Sequence, residues 1–553
     1  MSKTRIGQSA AGLAAGALVL AACSNGGDGG DGGDGGEVSI EPLTIHANSA
    51  NSYQPNFNPF SATANHGTRG MIYEPLILVS PMTEDDGQPW LAESMEFNED
   101  GTVATFTLRE GVEWSDGEAF DAEDVAFTFN LMTEESAANT AALALDGAEV
   151  IDEYTVEVSF TETSFAFEPA IGNTVIVPEH VFAEEDPIEF QNEEPVGTGG
   201  FVLDTFDQQL YTLSANPTYW NAEELEVEEL HYPANSEQTF TTSLQSGELD
   251  WSGGFVANID DIYVSQDPEN RGYWYPGGGL VSLVPNLQNE PFDDPAVREA
   301  LSLGMDRHQI AEVAMEDYTT PAHPTGLPLP AYEDSLSAET ADDELGYDVD
   351  QANQILDDAG YEMGSDGVRT TPDGDRMSYN LEIPSSYVDW VTITGLLEEQ
   401  YAELGIEVSP QGVSFESWVE TRNNGTFDIT IASVAIGQTP FDMYRSIMSS
   451  EYRNDEGSVT ANFSRYYTDE ADEALLAYAN TDEEAEQQAA LEDLQALMVE
   501  EMPMVPMIQA PNWFQFNTAN WEGWPSEEDP YAFGAPFQSP DNILVVQNLT
   551  PAG

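Results

Sequence analysis

The sequence predicts a mixed α/β fold divided into two or three domains, and three observations carry that expectation. At 553 residues the chain is longer than one hydrophobic core serves. Apolar residues at 41% and aromatics at 10% provide enough buried surface for folding despite a formal charge of -89. Segments that alternate apolar and polar residues with a period of two are interleaved along the chain with segments of helical spacing.

The first element is an address. Lys3 and Arg5 form a basic start to an apolar stretch from Ala10 to Leu20 that is too short to span a bilayer, so residues 1–22 are expected to be a signal peptide. The stretch closes on Leu20-Ala21-Ala22-Cys23, which resembles the lipobox of bacterial lipoproteins. Cys23 is the only cysteine, so it has no internal disulfide partner, and lipidation is the expected use of it. Residues 23–42 then read as the lipidated cysteine and a flexible Gly/Asp-rich tether, with Asp28, Asp31 and Asp34 at a three-residue period. A calcium-binding repeat is the alternative for that run, but it lacks the hydrophobic punctuation of a stacked solenoid.

From Leu43 onward the chain is expected to fold. Thr105 to Arg109 and Tyr154 to Phe160 read as half-buried strands. Asp116-Gly117 reads as a tight turn, and Asp121 as the cap of a helix with Asp124 in its first turn. Asp294-Pro295 begins a helix with Val297, Ala300, Leu301 and Gly304 on one face. Ala352, Ile355, Leu356 and Ala359 repeat that spacing and stop at Gly360. Ile393, Leu396, Leu397, Tyr401 and Leu404 form a third helix that ends at Gly405 and hands over to a strand at Ile406 to Val408. Thr481 and Glu484 read as a capping box ahead of a helix carrying Leu491, Leu494 and Met498.

Composition excludes several functions. With 13 basic residues against 102 acidic ones, the chain is no nucleic-acid binder. Lys3 is the only lysine, so the mature chain has no P-loop, Schiff-base or general-base lysine. The acidic residues are dispersed, which suits a solvated surface adapted to high salt. No zinc-protease His-Glu-x-x-His, nucleophile elbow or dinucleotide fingerprint occurs, and among so many carboxylates some pair across a cleft is inevitable by chance. The chain is therefore expected not to be an enzyme and to need no cofactor. His46, His66, His180, His231, His308 and His323 are widely spaced, so no metal site is expected.

The run from Met71-Ile72-Tyr73-Glu74-Pro75-Leu76 through Pro89-Trp90-Leu91-Ala92 to Phe106-Thr107-Leu108-Arg109-Glu110-Gly111-Val112-Glu113-Trp114-Ser115-Asp116-Gly117 and Phe120-Asp121-Ala122-Glu123-Asp124-Val125 closely resembles the signature region of family-5 bacterial solute-binding proteins. Collinear matches follow at Pro195-Val196-Gly197-Thr198-Gly199, Asn216-Pro217-Thr218-Tyr219-Trp220, Ser246-Gly247-Glu248-Leu249-Asp250, Met305-Asp306-Arg307 and Ala359-Gly360-Tyr361. The resemblance implies a three-lobed periplasmic-binding-protein-like fold of type II, cluster C, with a ligand cleft between two main lobes. It divides the chain into domain I from 43–80, 191–285 and 511–553, domain II from 81–190, and domain III from 286–510. Domains I and III would close over the ligand. It further implies an ABC importer with permease and ATPase partners, attachment to the membrane through the lipid anchor, and a binding protein that acts as a monomer on the outer face of the membrane. A sensor subunit read by a membrane receptor is the other class of role.

Two ligands remain open. Oligopeptide is the family default, yet the aspartate that holds a peptide's amino group in the family is missing from Val434-Ala435-Ile436-Gly437-Gln438-Thr439-Pro440-Phe441, with Asp442 just beyond. Asp250-Trp251-Ser252-Gly253, Asn512-Trp513-Phe514 and the segment from Trp521 to Tyr531 are instead similar to members that bind β-linked oligosaccharides such as cellobiose. Tryptophan faces with amide side chains suit sugar rings. Nickel is disfavoured by the scattered histidines. The expected ligand contacts are Trp251, Trp390, Trp513 and Asn286, with Trp251 first.

Overall fold

A computed structural model of the chain describes residues 41–83, 87–453 and 457–552. The expected signal peptide, Cys23 and nearly all of the tether lie outside the described residues. Three principal sheets organise the rest. The first has seven strands in the order Arg271–Tyr273, Gln515–Asn517, Trp251–Ser252, Leu43–His46, Glu229–Pro233, Leu210–Ala215 and Phe201–Asp207. The second has four, in the order Ala92–Phe97, Val103–Leu108, Thr155–Phe160 and Leu145–Asp152, and is fully antiparallel. The third has five, in the order Glu407–Val413, Ser378–Pro384, Ile429–Ala435, Gly277–Pro285 and Val505–Pro511.

Local chemistry explains where the helices begin and end. Asp121 caps Ala122–Glu134 by accepting from the Glu123 amide at 2.8 Å, and Asp124 returns a bond to the Asp121 amide. Asp124 also accepts from the Trp114 indole at 2.9 Å and the Glu179 amide at 2.9 Å, so the family signature here is scaffold. Asp294 caps Pro295–Leu303 through the Ala296 amide. Gly360 and Gly405, with φ of +91° and +74°, terminate Val349–Asp358 and Val388–Glu403 in the left-handed conformation that a side chain disfavours.

Two expectations need correction. The last long helix, Glu484–Glu501, is capped at Glu483, and Thr481 lies before it, accepting from the Glu483 amide and donating to Glu486, so Thr481 and Glu484 form no capping box. The segment 277–285 was expected in domain I. From Gly279 to Pro285 it pairs with Ile429–Ala435, and it lies against Val505–Pro511 on its other side, burying Leu280, Val281, Leu283 and Val284. The chain therefore enters the third lobe before residue 277.

The cores decide what moves with what. The first and second sheets share one continuous core, in which Ile45, Leu230 and Trp251 pack with Phe106, Trp114 and Phe129. The third sheet has its own, built from Leu283, Leu301, Leu356, Ile393, Tyr401, Ile431 and Leu494. Lobes I and II thus share one core, while the core of lobe III is mostly its own and also takes in Ala166 of lobe II and Phe533 of lobe I.

Candidate functional site

Two segments carry the chain between lobes I and III, and they are bonded to one another. Arg271–Tyr273 pairs antiparallel with Gln515–Asn517 in the first sheet, and Gly277 pairs with Pro511 in the third. Between those pairs the Trp274 amide donates to Phe514 O at 3.0 Å and the Asn512 amide to Pro276 O at 2.8 Å. The crossing is a two-stranded ribbon with Trp513 and Tyr275 facing each other on it. A ribbon of two strands bends more readily than a sheet wedged between layers, so it suits a pivot.

Aromatic side chains gather at this crossing. The Trp513 and Tyr275 ring centroids are 4.7 Å apart at 76°, and Phe255 meets Trp513 edge-on at 5.3 Å. Tyr273 stacks on Tyr275 at 4.9 Å, and Tyr318 from lobe III meets both edge-on. Trp513, Phe255 and Tyr275 are only half-buried. Gln515 braces the cluster from beneath: its Nε2 donates to Tyr275 Oη and Gly254 O, both at 2.8 Å, while its Oε1 accepts from Ser252 at 3.0 Å. The Trp513 indole N–H has no protein acceptor among the described residues and remains free for a ligand oxygen.

The topology opens a cleft beside that cluster. Leu43–His46 and Trp251–Ser252 are parallel neighbours, and their C-terminal ends release the loops that carry residues 47–69 and 253–258. Across the gap, the parallel strand Ile429–Ala435 ends in the loop that carries Gln438. Crevices at the carboxyl ends of parallel strands are the usual ligand sites of open α/β sheets. Two cavities lie here. One, of about 270 Å³, is bordered by Arg69 and Tyr73 of lobe I, Asn173 of lobe II and Gln438 of lobe III. The other, of about 310 Å³, is lined by the His66 to Arg69 segment and by Pro536, Phe537 and Gln538. Phe537 is 42% exposed and abuts Gly253, whose position would not admit a Cβ. Neither cavity has an Asp or Glu in its lining.

Of the four residues expected to contact ligand, Trp513 alone is half-buried; it lines neither cavity, and Gly253 lies between its carbonyl and Phe537 of the second one. Trp251 is 1% exposed: it is held between Ile45 and Phe516 in the first sheet, packs on Trp524, and spends its indole N–H on Gly534 O at 2.6 Å. Trp390 is 6% exposed in the lobe III core, edge-on to Tyr387 and Trp418. Asn286 is 2% exposed, and its amide donates to Gly425 O and Phe427 O, which fixes the start of a loop. These three are framework, because burial on every side leaves no surface for a ligand. Asp442 is likewise engaged: its Oδ2 accepts from the Gln438 and Thr439 amides in a capping box for Pro440–Met448, so it is not a free counter-charge for an amine.

The aromatic run Tyr273-Trp274-Tyr275 was overlooked in the sequence, although its alternation ahead of Gly277-Gly278-Gly279 marks a strand entering a close backbone approach. At Gly279, with φ of +154°, a Cβ would meet Val434 O at 2.4 Å. Elsewhere, Glu74 is fully buried and accepts from the Trp90, Tyr219 and Trp220 side chains. Burial raises its pKa to about 7, against the pull of those donors. It is a lobe I scaffold carboxylate and lines neither cavity of the cleft. Among the described residues no grouping of His, Cys, Asp and Glu could hold a metal, and no helix is long and apolar enough to cross a membrane.

Comparison with known proteins agrees with this architecture. Protein XP55 of Streptomyces lividans is 29% identical over 431 residues, covering 76% of each chain. The oligopeptide-binding protein AppA of Bacillus subtilis is 23% identical over 457 residues, covering 78% of this chain and 80% of that protein. A crystal structure described as a periplasmic oligopeptide-binding protein of an oligopeptide ABC transporter from Thermotoga maritima superposes with a TM-score of 0.85 at 25% identity, covering 93% of this chain and all of that one. A mannohexaose-bound structure of that protein superposes with a TM-score of 0.76 over 93% of this chain and 99% of that one. The family model for bacterial extracellular solute-binding proteins, family 5 Middle, matches residues 87–456. With two joined lobes, a separately cored third lobe and a ribbon crossing between them, this chain belongs to the family-5 bacterial extracellular solute-binding proteins.

Proposed function

We propose that this chain is the lipid-anchored, monomeric substrate-binding subunit of an ABC importer, displayed on the outer face of the membrane, and that it captures an oligosaccharide against the aromatic wall of the lobe I–III cleft. The observation that carries the ligand class is the half-buried Trp513 with its free indole N–H, flanked by Phe255 and Tyr275. Sugar rings offer apolar faces and a rim of hydroxyls, and aromatic rings with amide neighbours answer both. Neither cavity lining contains a carboxylate and Asp442 is committed to its cap, so a peptide's ammonium group has no counter-charge in either cavity; beside the aromatic cluster, Glu316 is bonded to Tyr318 Oη. The mannohexaose-bound Thermotoga protein supports the same reading. The family relationship to the oligopeptide-binding AppA supports the second, in which the ligand is an oligopeptide. Either ligand is passed to permease and ATPase partners once lobe III has closed over it.

A thermal-shift screen in molar NaCl tests the choice. A ligand at about 100 times its dissociation constant adds about 2.7 kcal/mol of stability. Stabilisation by β-linked gluco- or manno-oligosaccharides that disappears in Trp513→Ala is expected. Stabilisation by peptides alone would overturn the oligosaccharide assignment.

A further inference from the structure

We propose that Arg69 anchors a carboxylate group on the ligand, so that the preferred solute is an acidic one, a uronate-bearing oligosaccharide on the reading above. The inference rests on the cleft being the ligand site and adds the charge that the site selects.

Arg69 borders both cavities at once, and it is the one charged side chain in their combined lining, since burial lowers the His66 pKa to about 4 and keeps that imidazole neutral. The guanidinium is held in place from one side only. Its Nε donates to Pro59 O at 2.7 Å and its Nη2 donates to the same carbonyl, while Nη1 has no hydrogen-bond partner among the described residues. The edge formed by Nη1 and the second Nη2 hydrogen is thus a vacant two-pronged donor, the geometry that a carboxylate fills with two parallel bonds.

The backbone beneath it is clamped. The Asn542 side chain donates to Arg69 O at 3.2 Å, and Gly70, at a φ of +99°, lies so close to that asparagine that a Cβ would meet its Oδ1 at 2.3 Å. An arginine fixed at its backbone and along one edge, with its other edge vacant at a cavity, loses little freedom when an anion docks.

The surrounding charge sharpens the argument. A chain with 102 acidic residues has ample means to neutralise an arginine, and Arg298, Arg369, Arg376 and Arg445 are each paired with a carboxylate. Arg69 has no such partner among the described residues, as is also true of Arg109, Arg271, Arg307, Arg422 and Arg465, but it alone of these borders the two cavities, whose walls contain no carboxylate. A neutral wall beside a lone cation lets an anion replace the missing partner. Arg69 is exposed, so solvent serves that edge when no anion is bound.

Calorimetric titration of the mature protein in molar NaCl tests this with matched probes: a β-linked glucose trisaccharide, the same trisaccharide ending in glucuronate, a tripeptide, and that tripeptide as its amide. The expected result is tighter binding of the glucuronate form than of the neutral sugar by about tenfold or more, abolished in Arg69→Gln and partly kept in Arg69→Lys, with the neutral sugar unaffected. Equal binding of acid and neutral forms by the native protein overturns the proposal, as does equal weakening of both in Arg69→Gln, which would make Arg69 a brace for Pro59 only. If neither sugar binds but the free-acid tripeptide outbinds its amide through Arg69, the oligosaccharide reading falls and the anchor stands. If no carboxylate-bearing probe binds, the anchor falls as well.

Discussion

The indole of Trp513 and the phenol ring of Tyr275 face each other edge-on at 4.7 Å, one from each of the two segments that join lobe I to lobe III. The pair therefore spans both crossing segments at once. On the proposed reading, a ligand resting on Trp513 would touch one of the two crossing segments, which would couple closure to occupancy.

Substituting the two tryptophans should give opposite results. Trp513→Ala is expected to cost the fold less than about 1 kcal/mol while weakening ligand binding about tenfold or more, because a half-buried ring is lost from a cleft wall. Trp251→Ala should cost about 3–5 kcal/mol, because a sealed indole leaves a cavity and strands Gly534 O. Denaturant melts and titrations on both variants decide it, and a Trp251 variant of native stability would contradict its placement in the core.

A polar contact also links lobes I and III, and on the proposed reading it would support closure. Glu316, at the end of Arg307–Met315 in lobe III, accepts from the Asn258 amide of lobe I at 2.7 Å and from Tyr318 Oη at 3.0 Å, and Tyr318 Oη accepts from the Ile259 amide at 3.1 Å. Tyr318→Phe removes the hydroxyl that ties these groups together. It should loosen the closed form, lowering ligand affinity by about three- to tenfold and enlarging the scattering radius of the bound protein. An unchanged radius and affinity would show that the contact does not support closure.

Stability should fall as pH rises through the neutral range. Burial raises the pKa of Glu74 to about 7 and that of Asp541 to about 6, so the folded state keeps protons that the unfolded chain releases near its ordinary carboxylate values. The unfolded state then binds fewer protons between those limits, and the free energy of unfolding decreases with pH there. For Glu74 the loss between about pH 4.5 and 7 is on the order of 3 kcal/mol. Chemical melts at pH 5 and pH 8 should show a smaller difference for Glu74→Gln than for the native protein, and an identical difference would refute the assignment.

Salt should act in the opposite sense to its effect on an ordinary ion-paired protein. With a formal charge of -89, self-repulsion of the surface is relieved as the Debye length shrinks to about 3 Å in molar NaCl. The melting temperature is expected to climb between dilute buffer and molar NaCl. A flat or falling trend would mean that the acidic surface is not a high-salt adaptation.

Much of the framework was legible because its causes are local. Asp121 and Asp294 cap helices, and Gly360 and Gly405 end them, through contacts within a few residues. The family was legible too, since collinear motifs survive without knowledge of their contacts. Thr481 misled because its hydroxyl bonds the Glu483 amide and the Glu486 side chain just before a helix whose N-cap position, Glu483, makes no side-chain cap bond.

The site itself was legible only in part, and Trp251, Trp390 and Trp513 show why. All three are tryptophans beside polar neighbours, and nothing within a few residues separates them. Trp251 is sealed by Ile45, Phe516 and Trp524, residues more than two hundred positions away in either direction, whereas Trp513 is left half-open because the chain is crossing between lobes there. By itself the sequence determined the acidic composition, the absence of any lysine beyond Lys3, the family and the local caps, all of which depend on composition or on short-range contacts. Only the tertiary structure decided which aromatic ring is wall and which is core, that Asp442 is spent on a cap, and that Arg69 borders two cavities without a carboxylate, because burial and electrostatic partnership are set by strands paired across the length of the chain.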